Sequence, residues 1–156
     1  MAWTNFAPSA LTRRLSGAKP TAGASRVPAT NRTMPRVLVI DDDGVTRLVL
    51  GAALRDAGYE VEEVADGAEG VAAFRARPAD LVISDLVMPQ HGGLETVREI
   101  RQSDPKARIL VVSGVIGSSA EHLRAAVRFG ADRVLPKPVN LPELLAMVAG
   151  LLNRPQ

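Results

Sequence analysis

The 156-residue chain contains no cysteine. Disulfides, thiol nucleophiles and Cys-ligated zinc are therefore excluded, and the absence suits a reducing compartment. No apolar run approaches the length of a membrane-spanning helix, so a cytoplasmic protein with no membrane partner is expected. Residues 1–33 lack any acidic residue, although they hold Arg13, Arg14, Lys19, Arg26 and Arg32. The other 14 of the 19 Lys and Arg residues face all 17 Asp and Glu, so residues 34–156 carry about −3 beneath a net charge of +2. An acidic domain offers no electrostatic footprint for nucleic acid, and no nucleic-acid partner is expected. Neither His91 nor His122 has a second histidine at metal-ligand spacing, which favours surface roles for both.

Residues 1–33 are rich in Ala, Ser, Thr, Pro and Arg and show no sustained periodicity. Such a segment cannot bury enough surface to offset its ordering entropy, and a disordered basic tail is expected. Its composition is transit-peptide-like, without the apolar stretch of a secretory signal. Equally, Met34 reads as a true start preceded by an over-extended one.

From Arg36 onward, short apolar runs alternate with helical stretches. Val37-Leu38-Val39-Ile40, Leu81-Val82-Ile83-Ser84 and Arg108 to Val112 read as strands buried on both faces. Tyr59 to Val64 reads as a more exposed strand, and Arg133-Val134-Leu135 as a short one. Helices are expected over 45–57, with Gly58 beyond its end, from Asp66 to about Arg77, over 94–102, from Ser118 to Phe129, and from Asn140 to about Asn153. Five strands alternating with five helices predict an α/β fold, a doubly wound parallel sheet with helices on both faces. In such sheets the functional groups gather at the carboxyl ends of the strands.

Asp41, Asp42 and Asp43 follow the first strand, Asp85 ends the third, Ser113 ends the fourth and Lys137 follows the fifth. Each acid taken singly is explained by a turn or cap. Four matched strand ends are harder to explain that way. Clustered carboxylates repel one another unless a cation joins them, and an oxygen-only donor set favours a hard ion such as Mg²⁺. A hydroxyl and an ammonium beside them suit phosphate oxygens. The combination predicts a phosphoryl-transfer site with an Asp carboxylate as nucleophile.

These residues resemble the receiver domain of bacterial two-component response regulators, of the chemotaxis-regulator type. The matching stretches are Val37-Leu38-Val39-Ile40-Asp41-Asp42-Asp43, Ser84-Asp85-Leu86-Val87-Met88-Pro89, Val111-Val112-Ser113-Gly114 and Leu135-Pro136-Lys137-Pro138. The resemblance spans essentially residues 35–153, making 34–156 the receiver domain. It implies a flavodoxin-like strand order 2-1-3-4-5. It implies Asp85 as the phosphoacceptor, charged by a histidine kinase or histidine phosphotransfer protein. Asp42, Asp85 and the Val87 backbone carbonyl would ligate Mg²⁺, with Asp41 acting through water. Ser113 and Lys137 would contact the phosphoryl group, and the Lys137–Pro138 peptide would be cis. Such a domain is no enzyme beyond its own phosphorylation and dephosphorylation. It signals to a downstream protein target by contact or phosphate relay.

Several residues depart from the family pattern. Gly92 stands where an Asp is usual, which should loosen the loop after Asp85. Val134 occupies the switch position, where the family carries Tyr or Phe, so aromatic rotamer exchange is excluded. Val87 and Val115, two residues beyond Asp85 and Ser113, cannot orient a hydrolytic water, and a long-lived phosphoaspartate is expected. The last helix carries Leu144, Leu145, Met147, Val148, Leu151 and Leu152, a stripe wide enough to suggest a homodimer through the last two helices. No output domain follows residue 153, which suggests a stand-alone receiver.

Two other readings compete. Asp41-Asp42-Asp43-Gly44-Val45 resembles the opening motif of haloacid-dehalogenase-type phosphatases, with Asp41 as nucleophile and Asp43 as acid/base. The further metal-binding acids such enzymes need are represented only by Glu143. An interaction module that merely keeps the receiver fold is the third class, and the complete set of Asp41, Asp42, Asp85, Ser113 and Lys137 argues against it.

Overall fold

A computed structural model describes residues 34–114 and 120–154, with residues 120–123 described by backbone alone. The reading of residues 1–33 as a disordered tail, and the positions of Val115 and the His122 side chain, lie outside the described residues.

The elements alternate strictly: β1 (Arg36–Ile40), α1 (Gly44–Asp56), β2 (Glu60–Val64), α2 (Gly67–Ala76), β3 (Leu81–Asp85), α3 (Gly93–Ser103), β4 (Ile109–Ser113), α4 (Ala120–Arg128), β5 (Arg133–Pro136) and α5 (Leu141–Leu152). All strand pairs are parallel, and the sheet runs β2-β1-β3-β4-β5. This is the flavodoxin-like order, with the chain reversing direction across the sheet between β1 and β3.

Period-two alternation in the central strands feeds two separate cores. Val37 and Val39 of β1 join Ile83, Leu110 and Val112 on one face, packed against Leu50 and Leu54 of α1 and Leu144, Val148 and Leu151 of α5. Leu38 and Ile40 point the other way, towards Val71 and Phe74 of α2, Val97 and Ile100 of α3, and Ala126 of α4. Strand β2 pairs only with β1 and is half-buried along its length, as expected from its glutamates.

The helix ends follow their sequence signals. Asp66 accepts from the amides of Ala68 and Glu69 at the start of α2, and Asn140 accepts from Glu143 at the start of α5. Gly58 takes φ +90°, and the Gly58 and Tyr59 amides return to the carbonyls of Arg55 and Leu54. That paired return closes α1 and needs a residue free of left-handed strain.

The apolar stripe of α5 faces inward. Leu144, Val148 and Leu151 are buried, while Leu141, Leu145, Met147 and Leu152 pack against the same core. The expected dimer through the last two helices finds no support on α5. The large exposed hydrophobics of the described residues lie off α5, with Val45, Leu48 and Val49 grouped on α1 and Val127 on α4, followed by Phe129 just beyond its end.

Candidate functional site

The turn after β1 is built by its own acids. Asp41 sits just beyond the last ladder residue, 1 % exposed, and its Oδ1 accepts from the Asp43 amide at 2.9 Å. Asp43 accepts from the Val45 and Thr46 amides and from the Thr46 hydroxyl. It is the N-cap of α1. Asp42, between them, is exposed.

Asp85 ends β3 and is 6 % exposed. Its Oδ1 accepts from the Val87 amide at 3.1 Å. Ser113 ends β4, one strand over, and its buried hydroxyl has no hydrogen-bond partner among the described residues. Lys137 lies just past β5, held by its amide to the Ser113 carbonyl at 2.7 Å, before a cis Pro138. Its Nζ donates to Asp41 Oδ2 and to Asp85 Oδ2, both at 2.8 Å.

The ends of the four strands β1, β3, β4 and β5 therefore lie at one rim of the sheet. One carboxylate oxygen from each of Asp41, Asp42 and Asp85 lies within 4.8 Å of the others. Burial pushes the Asp41 carboxyl above the usual aspartate range, despite the hydrogen bonds from Lys137 and the Asp43 amide. Burial alone would lower the Lys137 ammonium, but its bonds to Asp41 and Asp85 and their charges raise it above the usual lysine value. One ammonium does not fully compensate the buried Asp41 charge, and the donor set consists of oxygens alone, so the cluster suits a metal cation.

Two residues that shape the site were not singled out from the sequence. A Cβ on Gly93 would stand 2.0 Å from the Asp85 carbonyl oxygen, so α3 starts hard against the backbone of Asp85. Arg47, one turn into α1, reaches back with Nη1 to the Asp41 carbonyl at 2.5 Å. The Gly-Gly pair and a cation four residues after Asp43 were the only sequence signals for them. His91 is less exposed than expected: its Nε2 is buried, 3.3 Å from Glu99 Oε1 on α3. Val134 is half-buried and packs on the core shared by α2, α3 and α4.

Residues 37–149 match the family described as the response regulator receiver domain. The chain belongs to that family. The receiver is 39% identical over 119 residues to the response regulator MprA of Mycobacterium sp. (strain KMS), covering 76% of this chain and 51% of that protein. It is 38% identical over 125 residues to the transcriptional regulatory protein PrrA of Mycobacterium tuberculosis, covering 80% and 53%. Among solved structures it resembles a CheY-like receiver domain protein of Methanospirillum hungatei, with TM-score 0.73, 29% identity and coverage of 78% and 95%. The chemotaxis response regulator CheY4 of Vibrio cholerae gives TM-score 0.70, 35% identity and coverage of 76% and 99%.

The chain spans about half the length of the curated relatives it matches. One of those relatives is a transcriptional regulator, so the acidity of the receiver carries no exclusion of nucleic acid from the signalling pathway. Among the described residues, no helix is long and apolar enough to cross a membrane.

The phosphatase alternative finds no support: the family match is to the receiver domain, and Asp43, its candidate acid/base, is occupied in capping α1. The bonds from Thr46 and then Val45 hold the Asp43 carboxyl below its usual value of 3.8, the reverse of what a general acid needs. Asp43→Ala is expected to lower the urea midpoint at neutral pH, because the cap of α1 is lost. The folded chain holds the Asp43 proton less tightly than the unfolded chain. This contribution is therefore present above 3.8 and is lost as pH falls through the lowered folded value.

Proposed function

We propose that Asp85 is the phosphoacceptor of this receiver and that Asp41, Asp42 and Asp85 hold Mg²⁺, with the Val87 carbonyl as a further ligand. The supporting observation is the double bridge from Lys137 to Asp41 and Asp85, with a buried Ser113 hydroxyl at the neighbouring strand end that has no partner among the described residues. An ammonium and a hydroxyl at the rim that carries a carboxylate nucleophile suit transfer of a phosphoryl group.

In this reading a carboxylate oxygen of Asp85 attacks phosphorus on the phosphohistidine of a histidine kinase or phosphotransfer protein. The P–O bond forms as the P–N bond breaks, and the leaving imidazole takes a proton from solvent. Lys137 and Ser113 receive the phosphoryl oxygens. Mg²⁺, when bound, neutralises charge that develops on those oxygens. Incorporation of label from phosphorylated kinase or a small phosphodonor, dependent on Mg²⁺, tests the proposal. Its absence with both donors would revive the interaction-module reading.

The donor has to reach this rim. A groove of about 210 Å³ opens beside Lys137, lined by Val45, Thr46, Val49, Pro138, Val139 and Leu141. Val45 and Leu48 are 69% and 65% exposed on the adjoining face of α1. An apolar helix face of the phosphodonor fits this surface and would be aligned with Asp85. Val49→Glu is expected to slow transfer from the kinase at least about tenfold, while labelling by a small phosphodonor stays unchanged.

Val87 is exposed beside the acceptor, and with Val115 it offers no group to orient hydrolytic water. The phosphoaspartate should persist for minutes or longer in the isolated protein with Mg²⁺, and a lifetime of seconds would contradict this. The signal then leaves by contact with a downstream protein or by onward relay. With Val134 at the switch position, it travels through Ser113 and the start of α4 rather than through an aromatic side chain.

A further inference from the structure

The metal reading above leaves open how two adjacent carboxylates, Asp41 and Asp42, are held in one small volume despite their repulsion. Asp41 passes its amide to the Val64 carbonyl at 3.3 Å, but the strand register ends at Ile40. Its own carbonyl lies past the ladder. Arg47 supplies that carbonyl's partner, with Nη1 at 2.5 Å. The backbone from which the Arg47 side chain springs is fixed, because the Arg47 amide donates to the Asp43 carbonyl at 3.0 Å in the first turn of α1. Its Nη2 lies over Gly44, 3.6 Å from where a Cβ would stand.

The Asp41 carbonyl belongs to the rigid peptide plane that joins Asp41 to Asp42. Fixing that carbonyl fixes the plane, and with it the direction in which Asp42 leaves the chain. We propose that Arg47 is a positioning residue for the metal site, which holds the Asp41–Asp42 peptide plane so that both carboxylates face the same cation. It touches neither the phosphoryl group nor the metal. It acts on two ligands through the backbone, as outer partners of metal ligands commonly do.

Position and charge pull in opposite directions, which makes the proposal testable. A cation near the cluster repels a divalent ion, so removing only the charge of Arg47 would tighten Mg²⁺ binding. Removing the brace weakens it. The proposal rests on Mg²⁺ binding at Asp41, Asp42 and Asp85, and its test separates the two claims.

Mg²⁺ affinity of the full chain is measured by calorimetry, alongside the urea midpoint without Mg²⁺. Arg47→Met and Arg47→Gln are expected to weaken Mg²⁺ about tenfold in the folded protein. Arg47→Lys, which keeps a long donor, should recover most of that loss. Should Arg47→Met fail to fold, Arg47→Gln reads the same quantity. Unchanged or tighter Mg²⁺ binding in the neutral variants overturns the role of Arg47 while leaving the metal site intact. A wild-type chain that binds no Mg²⁺, or binds it equally after Asp42→Asn, overturns the underlying metal reading instead.

Discussion

Asp85→Asn is expected to reduce phosphate incorporation at least about a thousandfold, from kinase and small phosphodonor alike. The amide cannot attack phosphorus, and no neighbouring acid is arranged to replace it. Asp41 is the more deeply buried of the two carboxylates that Lys137 bridges, 1 % against 6 % exposed, Asp43 is committed to the cap of α1, and Asp42 is exposed. The substitution keeps the shape of the side chain, and its oxygen can still accept from the Val87 amide. It also removes a charge that raises Asp41. The folded state should therefore survive, and urea denaturation of the variant separates lost chemistry from lost structure.

Lys137→Met should show two effects of opposite kind. Without divalent cation, Asp41 and Asp85 are left 1 % and 6 % exposed with no ammonium between them. Removing one partner of a buried ion pair costs about 3 kcal/mol, to be read as a lower urea midpoint. Mg²⁺ should recover more stability in the variant than in the wild type, because it binds the folded cluster and not the unfolded chain. Labelling at saturating Mg²⁺ should still fall about a hundredfold, because a charge aimed at the phosphoryl oxygens is gone. The alkaline limb supplies a control. The folded-state value of Lys137 lies above 10.5, so the folded chain holds more protons than the unfolded chain as pH passes that value. Wild-type stability from this group is present below 10.5 and falls as pH rises through the raised value, and the variant lacks this loss.

The fold was readable because its signals are local or periodic. Buried runs such as Val37 to Ile40, cap residues such as Asp66 and Asn140, and Gly58 each declare one element without knowledge of the rest. The convergence of Asp41, Asp85, Ser113 and Lys137 was readable for a different reason: in a parallel sheet all strands end at the same rim. What stayed hidden depends on side-chain direction. Asp43 looked as able as Asp41 to do chemistry, and only its bonds to Val45 and Thr46 show it turned into the helix. The stripe of α5 looked wide enough for a partner because sequence spacing cannot tell a broad core from a free face. Gly93 and Arg47 act through backbone carbonyls of Asp85 and Asp41, contacts that residue type alone does not specify.

The most direct measurement is to phosphorylate the protein with Mg²⁺ and a small phosphodonor, reduce the acyl phosphate with borohydride, and locate the reduced residue by peptide mass spectrometry. The mark should fall on Asp85 alone and be absent from Asp85→Asn. A mark on Asp41, or labelling that persists in Asp85→Asn, would contradict the assignment of the phosphoacceptor.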